Sequence, residues 1–147
     1  SVTKDKKRVV FMITQKYITD LTYRINGACI EVHKILGSGL AEIVYHKALE
    51  KEFKLREIPF KSEFQIPVFY KDEALDCDFK CDFLIEDLIV LEIKAVTQIM
   101  DVHKSQVLNY MNLLKVPKGI LVNFNVKNLY HHGQETFINK YFDQLNS

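Results

Sequence analysis

The stretch Asp82-Phe-Leu-Ile-Glu-Asp-Leu-Ile-Val-Leu-Glu92-Ile-Lys94 reads as two strands meeting at a turn near Glu86-Asp87, because polar and apolar residues alternate with a period of two on both sides. Asp78, Lys80, Asp82, Glu92 and Lys94 hold the even, polar positions. Phe79, Cys81, Phe83, Ile85, Ile89, Leu91 and Ile93 hold the odd, apolar ones, so the odd face is expected to be the core face. Successive strand side chains point to opposite faces, which puts Glu92 and Lys94 on one side, one pleat apart. Asp82 joins them only if the hairpin is centred on Asp87, and that demands a loop with an odd number of residues or a bulge.

Two carboxylates and an ammonium on one face leave a charge problem. Carboxylates about 4 Å apart repel by roughly 4 kcal/mol at the effective dielectric of a protein surface, so one stays protonated unless a cation sits between them. A hard divalent ion such as Mg2+ removes that cost; it takes oxygen ligands and leans on one or two carboxylates plus substrate phosphate. A solvated sheet face with a cross-strand salt bridge accounts for the same letters, and the rest of the chain has to decide.

The 147 residues suit one domain, and a hydrophobic fraction of 48% is enough to build a core. A net charge of +1 rules out a whole-molecule basic field, so any nucleic-acid surface must be a local patch. Cys29, Cys77 and Cys81 are too few for a disulfide framework and point to a reducing compartment. Cys77 and Cys81 share the parity of Phe79 and Phe83 and are expected to be buried core thiols. No apolar run reaches membrane-spanning length. The expectation is a soluble, cytoplasmic protein without a membrane partner.

Residues 1–13, which include the basic run Lys4-Asp-Lys-Lys-Arg8, are expected to form a flexible tail before a single domain over 14–147. Ile18, Leu21, Ile25, Ala28, Cys29, Val32, Ile35 and Leu36 recur at helical spacing up to Gly37-Ser38-Gly39, where glycine can close a helix. A second helix is expected to start at once, with Leu40, Ile43, Val44, Ala48, Leu49 and Phe53 inward. Glu42 would then be an acid at the favoured third helical position, with Tyr45 and His46 one turn on. The basic segment Lys51 to Lys61, with Lys54 and Arg56, is the first candidate for phosphate-backbone contact.

Phe64 to Tyr70 alternates as a strand, and Pro67 confines it to an edge. After Lys94 a helix is expected from Val102 to Leu114, with Val107, Leu108, Met111 and Leu114 inward and Gln106 and Tyr110 sharing another face. Gly119-Ile-Leu-Val-Asn-Phe124 is an almost unbroken apolar run, as for a strand covered on both sides. Strand, helix and buried strand make a crossover unit. The expected architecture is α/β, a small mixed sheet flanked by helices.

Gly39-Leu-Ala-Glu42-Ile-Val-Tyr45 fits G-x-x-E-x-x-Y, Asp82 precedes Glu92-Ile-Lys94, Gln106-x3-Tyr110 follows on a helix, and Gly-Ile-Leu-Val-Asn-Phe closes the order. From about Ile18 to Phe124 the chain resembles the GxxExxY family of the PD-(D/E)XK nuclease superfamily. Cys81 departs from the pattern, standing where the superfamily name puts proline. The resemblance implies a restriction-endonuclease-like core and a divalent-metal-dependent nuclease acting on nucleic acid, DNA before RNA, with Mg2+ or Mn2+ as cofactor. Carried over, Asp82, Glu92, Glu42 and the backbone carbonyl of Ile93 would be metal ligands. Glu42, Asp82, Glu92, Lys94 and Gln106 would be catalytic, with Lys94 acting on the attacking water or the phosphorus. Tyr45, Tyr110, Lys54 and Arg56 would contact substrate or, for the tyrosines, position and pack. Cutting both strands of a duplex would suit a homodimer. Two rival readings stand: a binding module that keeps the fold without catalysis, and a metal-binding regulator using His103, His131 and His132.

Overall fold

The computed structural model describes residues 13–147. The expected tail lies outside the described residues except for Ile13, which packs against the core. Helix α1 spans Gln15–Leu36 and opens on Thr14, whose hydroxyl accepts from the Tyr17 N–H at 3.0 Å. Ile18, Leu21, Ile25, Ala28, Cys29 and Val32 form its buried stripe, and Gly37, at φ 73°, ends it by donating its N–H to His33 O.

Helix α2, Glu42–Leu55, begins later than the sequence suggests, so Glu42 is its first residue and not its third. Gly39, at φ 92°, redirects the chain before the helix starts. Its buried face is Tyr45, His46, Leu49 and Phe53, a four-residue spacing, whereas Leu40, Ile43 and Val44 are exposed.

The strands are β1 (Phe60–Gln65), β2 (Phe69–Tyr70), β3 (Glu73–Ala74), β4 (Lys80–Ile85), β5 (Ile89–Lys94), β6 (Lys118–Asn123) and β7 (Gln134–Ile138), with α3 (Asp101–Leu114) between β5 and β6. Two four-residue helices, α4 (Leu129–His132) and α5 (Lys140–Asp143), flank β7. The five-stranded sheet has the order β1-β4-β5-β6-β7, and β5 and β6 are its parallel pair. This is a restriction-endonuclease-like α/β fold. Pro67 falls in the break between β1 and β2, where a missing N–H costs no ladder bond, so the expected Phe64–Tyr70 strand is two pieces. No described helix is long and apolar enough to cross a membrane.

Both sheet faces are covered, not the odd one alone. Phe83, Ile85, Ile89, Leu91, Ile93, Ile120 and Val122 pack under α1 and α2. Leu84, Val90 and Leu121 pack with Val107, Tyr110 and Met111 of α3 on the opposite face. Gly119 sits under α3, where an added Cβ would lie 2.5 Å from both Met111 Sδ and Val107 Cγ1. Gly119→Ala should therefore destabilise by about 2 kcal/mol through overpacking and lower Tm by roughly 4–8 °C. A melt within a degree of wild type would show that α3 has room to move.

Candidate active site

The hairpin meets the odd-loop requirement. Pairs Phe83↔Leu91, Leu84↔Val90 and Ile85↔Ile89 centre it on Asp87, leaving the three-residue loop Glu86-Asp87-Leu88. Glu86 and Asp87 take the left-handed φ values 52° and 57°, and Leu88 N–H bonds back to Ile85 O. The same register carried on sets Asp82 opposite Glu92, but there the backbone ladder stops. The Asp82 N–H donates to Glu92 Oε1 and the Ile93 N–H donates to Asp82 Oδ2, each at 2.8 Å. Two carboxylates have taken the place of backbone carbonyls, and β4 and β5 part around them.

The distortion extends into β1. Glu63, which the β1–β4 register places opposite Asp82, has φ 49°. Beyond this point the faces exchange: Phe60 and Phe83 belong to the α1–α2 layer, while Phe64 and Cys81, of the same parity, belong to the α3 layer. The expected common core face for Phe79, Cys81 and Phe83 is thus corrected. Alternation holds only while φ stays extended, and it breaks at Glu63 and Asp82. Cys77 is exposed, against expectation, because it lies in the irregular link before β4.

Glu92 is 3% exposed. Burial first, and then the neighbouring Asp82 carboxylate, hold its carboxyl well above the ordinary carboxylate range, up to about 9; the Asp82 N–H and Lys94 pull the other way. Burial and the charges of Glu92 and Asp82 likewise push the Cys81 thiol up to about 12, so by itself it stays a thiol. Ile93 N–H faces the gap between β4 and β5, and its carbonyl shares that edge.

The remaining charged groups arrive from both layers. Glu42 is exposed as a residue, yet crowding around its carboxylate and then the Asp82 charge raise its pKa, while Lys94, His46 and His103 oppose the rise. Glu42 from α2 is thus within electrostatic reach of Asp82 and Lys94 at one end of the sheet, and of His103 from α3. Tyr110 is 3% exposed and packs edge-on against Phe79; burial and then Glu92 push its hydroxyl up to about 12, with Gln106, one turn earlier, pulling the other way.

Other expected contacts fall elsewhere. Tyr45 is fully buried and stacks on Phe124 at 4.4 Å; its hydroxyl donates to Gly37 O and accepts from Leu40 N–H. That places it among the packing residues that tie down the α1–α2 corner. Lys54 lies twelve residues along α2 from Glu42, about 18 Å, and Arg56 is engaged by Glu52 at 2.7 Å; neither is brought to the carboxylates. His131 and His132 lie on α4, and among the described residues no three His, Cys, Asp or Glu side chains are grouped to hold a metal. The histidine-regulator reading finds no support there.

Sequence reasoning gave no role to Asn123, set His46 only as a neighbour of Glu42, and used His103 only in the metal-regulator reading. His46, buried one turn after Glu42, stacks on Phe83 and hydrogen-bonds Ser62 Oγ at 2.7 Å; its i+4 spacing from Glu42 was the available signal. Asn123 Oδ1 accepts from Val96 N–H and Asn125 N–H, and its Nδ2 donates to Val96 O. With the Phe124 N–H to Lys94 O bond, it clamps the chain where Lys94 leaves the sheet.

The donor set suits a hard divalent cation. Asp82 and Glu92 each commit one oxygen to a backbone N–H, leaving Asp82 Oδ1 and Glu92 Oε2 for a shared proton or an ion. Two carboxylates, without a third protein ligand, are what such ions commonly use beside water and phosphate.

A family model described as the PD-(D/E)XK nuclease superfamily matches residues 19–135. No curated protein and no solved structure matches the chain.

Proposed function

The chain belongs to the PD-(D/E)XK nuclease superfamily, and from that membership we propose that it is a Mg2+- or Mn2+-dependent hydrolase of phosphodiester bonds in nucleic acid, DNA before RNA. The observation that carries the proposal is the reciprocal bonding of Asp82 and Glu92 to each other's strands, with Glu92 buried beside a second carboxylate. A fold does not hold two acids this way for stability, since it raises the free energy of the ionised pair. The G-x-x-E-x-x-Y order around Glu42 supports a reading of the chain as one of the GxxExxY branch.

Asp82 and Glu92 would hold the ion, with the Ile93 carbonyl as a further oxygen, and Glu42, which is not grouped with the pair closely enough to be a third ligand, would hold a water beside it. Bound there, a divalent ion supplies charge neutralisation at the phosphate and makes water a better nucleophile. Lys94, clamped at its exit by Asn123, stabilises charge developing on the phosphoryl oxygens or orients the attacking water. Gln106, one turn of α3 before Tyr110, orients the same water by hydrogen bonding. The first turns of α2 and α3 bring Glu42 and His103 to this end of the sheet.

A non-catalytic nucleic-acid- or protein-binding module is the second reading, favoured by the lack of a three-side-chain metal group among the described residues. Labelled single- and double-stranded DNA and RNA, incubated with the protein and Mg2+ or Mn2+ beside an Asp82→Ala control, discriminate the two. Metal-dependent cutting of DNA that the control lacks is the expected result. No cutting of any probe, with binding retained, would leave the module.

A further inference from the structure

One end of the sheet presents two unlike flanks beside the carboxylate pair. On the first, beyond the β1–β4 ladder, β2 and β3 pair as a separate two-stranded arm through Phe69↔Ala74 and Tyr70↔Glu73. That arm and its link carry Asp72, Glu73, Asp76 and Asp78 against Lys71, a poor path for a polyanion. On the second flank lies α3, with His103 acting on Glu42 and Lys104 following it.

Glu92 pairs with Leu121 of β6, and Leu121 pairs with Glu135 of β7. Two strand spacings, about 10 Å, therefore separate Glu92 from Glu135 on the face that α3 covers. There a pocket of about 130 Å3 is lined by Lys104, His132, Gly133, Gln134 and Glu135 over Leu121. At about 30 Å3 per water, it has room for a phosphate group. Lys104 reaches Glu135 at a loose 3.5 Å, both side chains being nearly half exposed, 40% and 46%. A loose, wet ion pair of this kind contributes little to stability.

We propose that this pocket, built from Lys104, His132 and the β7 entry, binds a non-reacting phosphate of the nucleic-acid strand, so that the strand leaves the carboxylate pair across β6 and β7 and not along the arm. It rests on the nucleic-acid reading above. With one phosphate per ~3.4 Å of axis along a strand, the pocket lies within a few nucleotides of the scissile bond. Glu135 acts as a stand-in for the phosphate, holding Lys104 over the pocket until the strand displaces it. The site thus has an opposed pair of variants: loss of Lys104 weakens binding, and loss of the Glu135 charge strengthens it.

Binding of a fluorescein-labelled 20-nucleotide single strand and of its duplex, followed by anisotropy in EDTA across a salt series, tests this. The Lys104→Ala/His132→Ala protein should bind about 5–20-fold more weakly, with the slope of log K against log salt reduced by about 1–2. Glu135→Gln should bind about 2–10-fold more tightly, and Lys71→Ala on the arm should match wild type. With Mn2+ the double variant should raise KM and leave kcat unchanged, which a misfolded protein would not do. Wild-type binding that the double variant leaves unaltered, a Glu135→Gln protein no tighter than wild type, or an equal loss in Lys71→Ala would each overturn the pocket alone. Wild-type protein that binds neither probe would overturn the pocket and the nucleic-acid reading together.

Discussion

Glu92→Ala is expected to reduce metal-dependent cleavage by about three orders of magnitude while leaving the protein folded. A metal ion contributes several kcal/mol of transition-state charge stabilisation, and each 1.36 kcal/mol is tenfold in rate; losing one of two anchoring carboxylates forfeits most of it. The Asp82 N–H, which Glu92 Oε1 accepts, loses its partner in this variant but gains a space that water can enter. Circular dichroism should show the same helix and strand content as wild type. Lys94→Ala is the companion: its cleavage should fall with Mn2+ affinity by titration calorimetry near wild type, because the ammonium acts on the phosphate and water and not as a ligand. Glu92→Ala protein that cuts DNA at the wild-type rate would remove Glu92 from the chemistry and return the hairpin acids to a structural role.

The second large effect is on stability, and it has the opposite sign. Glu92 in the folded protein has a raised pKa, through burial and Asp82, against about 4.3 in an unfolded chain. The folded state therefore binds more protons than the unfolded state above that lower value. Stability is fully present below about pH 4.3 and is lost as pH rises through the folded pKa. Glu92→Gln keeps an oxygen for the Asp82 N–H and offers Asp82 an N–H without titrating. In metal-free buffer at pH 8 it should be more stable than wild type by about 1–3 kcal/mol, a Tm higher by roughly 3–10 °C, and the difference should vanish by pH 4. Adding Mn2+ should reverse the order, since an ion that binds the folded state alone stabilises by about 2.7 kcal/mol at a hundred times its Kd and the amide variant binds it poorly. Equal melting temperatures for the two proteins across pH 4–8 would mean that Glu92 is not held protonated by its surroundings.

The hairpin was legible in the letters because period-two alternation is a local property, and Asp82 opposite Glu92 followed from counting to Asp87. Helix α1 was legible for the same reason, its buried stripe running from Ile18 to Val32. The inward face of α2 was not. Leu40, Ile43 and Val44 look like core residues until Gly39 sets where the helix begins, and the turn decides which of several apolar stripes meets the sheet. Cys81 is buried as expected, but under α3, because parity transmits along a strand only while the backbone stays extended and nothing in Glu63 announces a φ of 49°; Cys77 lies exposed in the link before β4. Tyr45 and Tyr110 carry a hydroxyl on a large apolar ring, so their letters suit a substrate contact and a buried packing role alike. Burial chose packing for Tyr45.

By itself the sequence determined the three long helices, the hairpin and the buried strand after them, their order, the helical crossover, and that Glu92 and Lys94 share a strand face, because these depend on periodicity and covalent spacing; β7 and the short helices beside it carried no such signal. The tertiary structure alone decided that Asp82 and Glu92 trade backbone bonds across a parted ladder, that Glu42 and His103 approach from opposite helical layers, and that Lys54 and Arg56 stay away. Those outcomes depend on three-dimensional packing, on where φ turns positive, and on how much water each carboxylate keeps. None of these is a property of a residue and its neighbours in the chain.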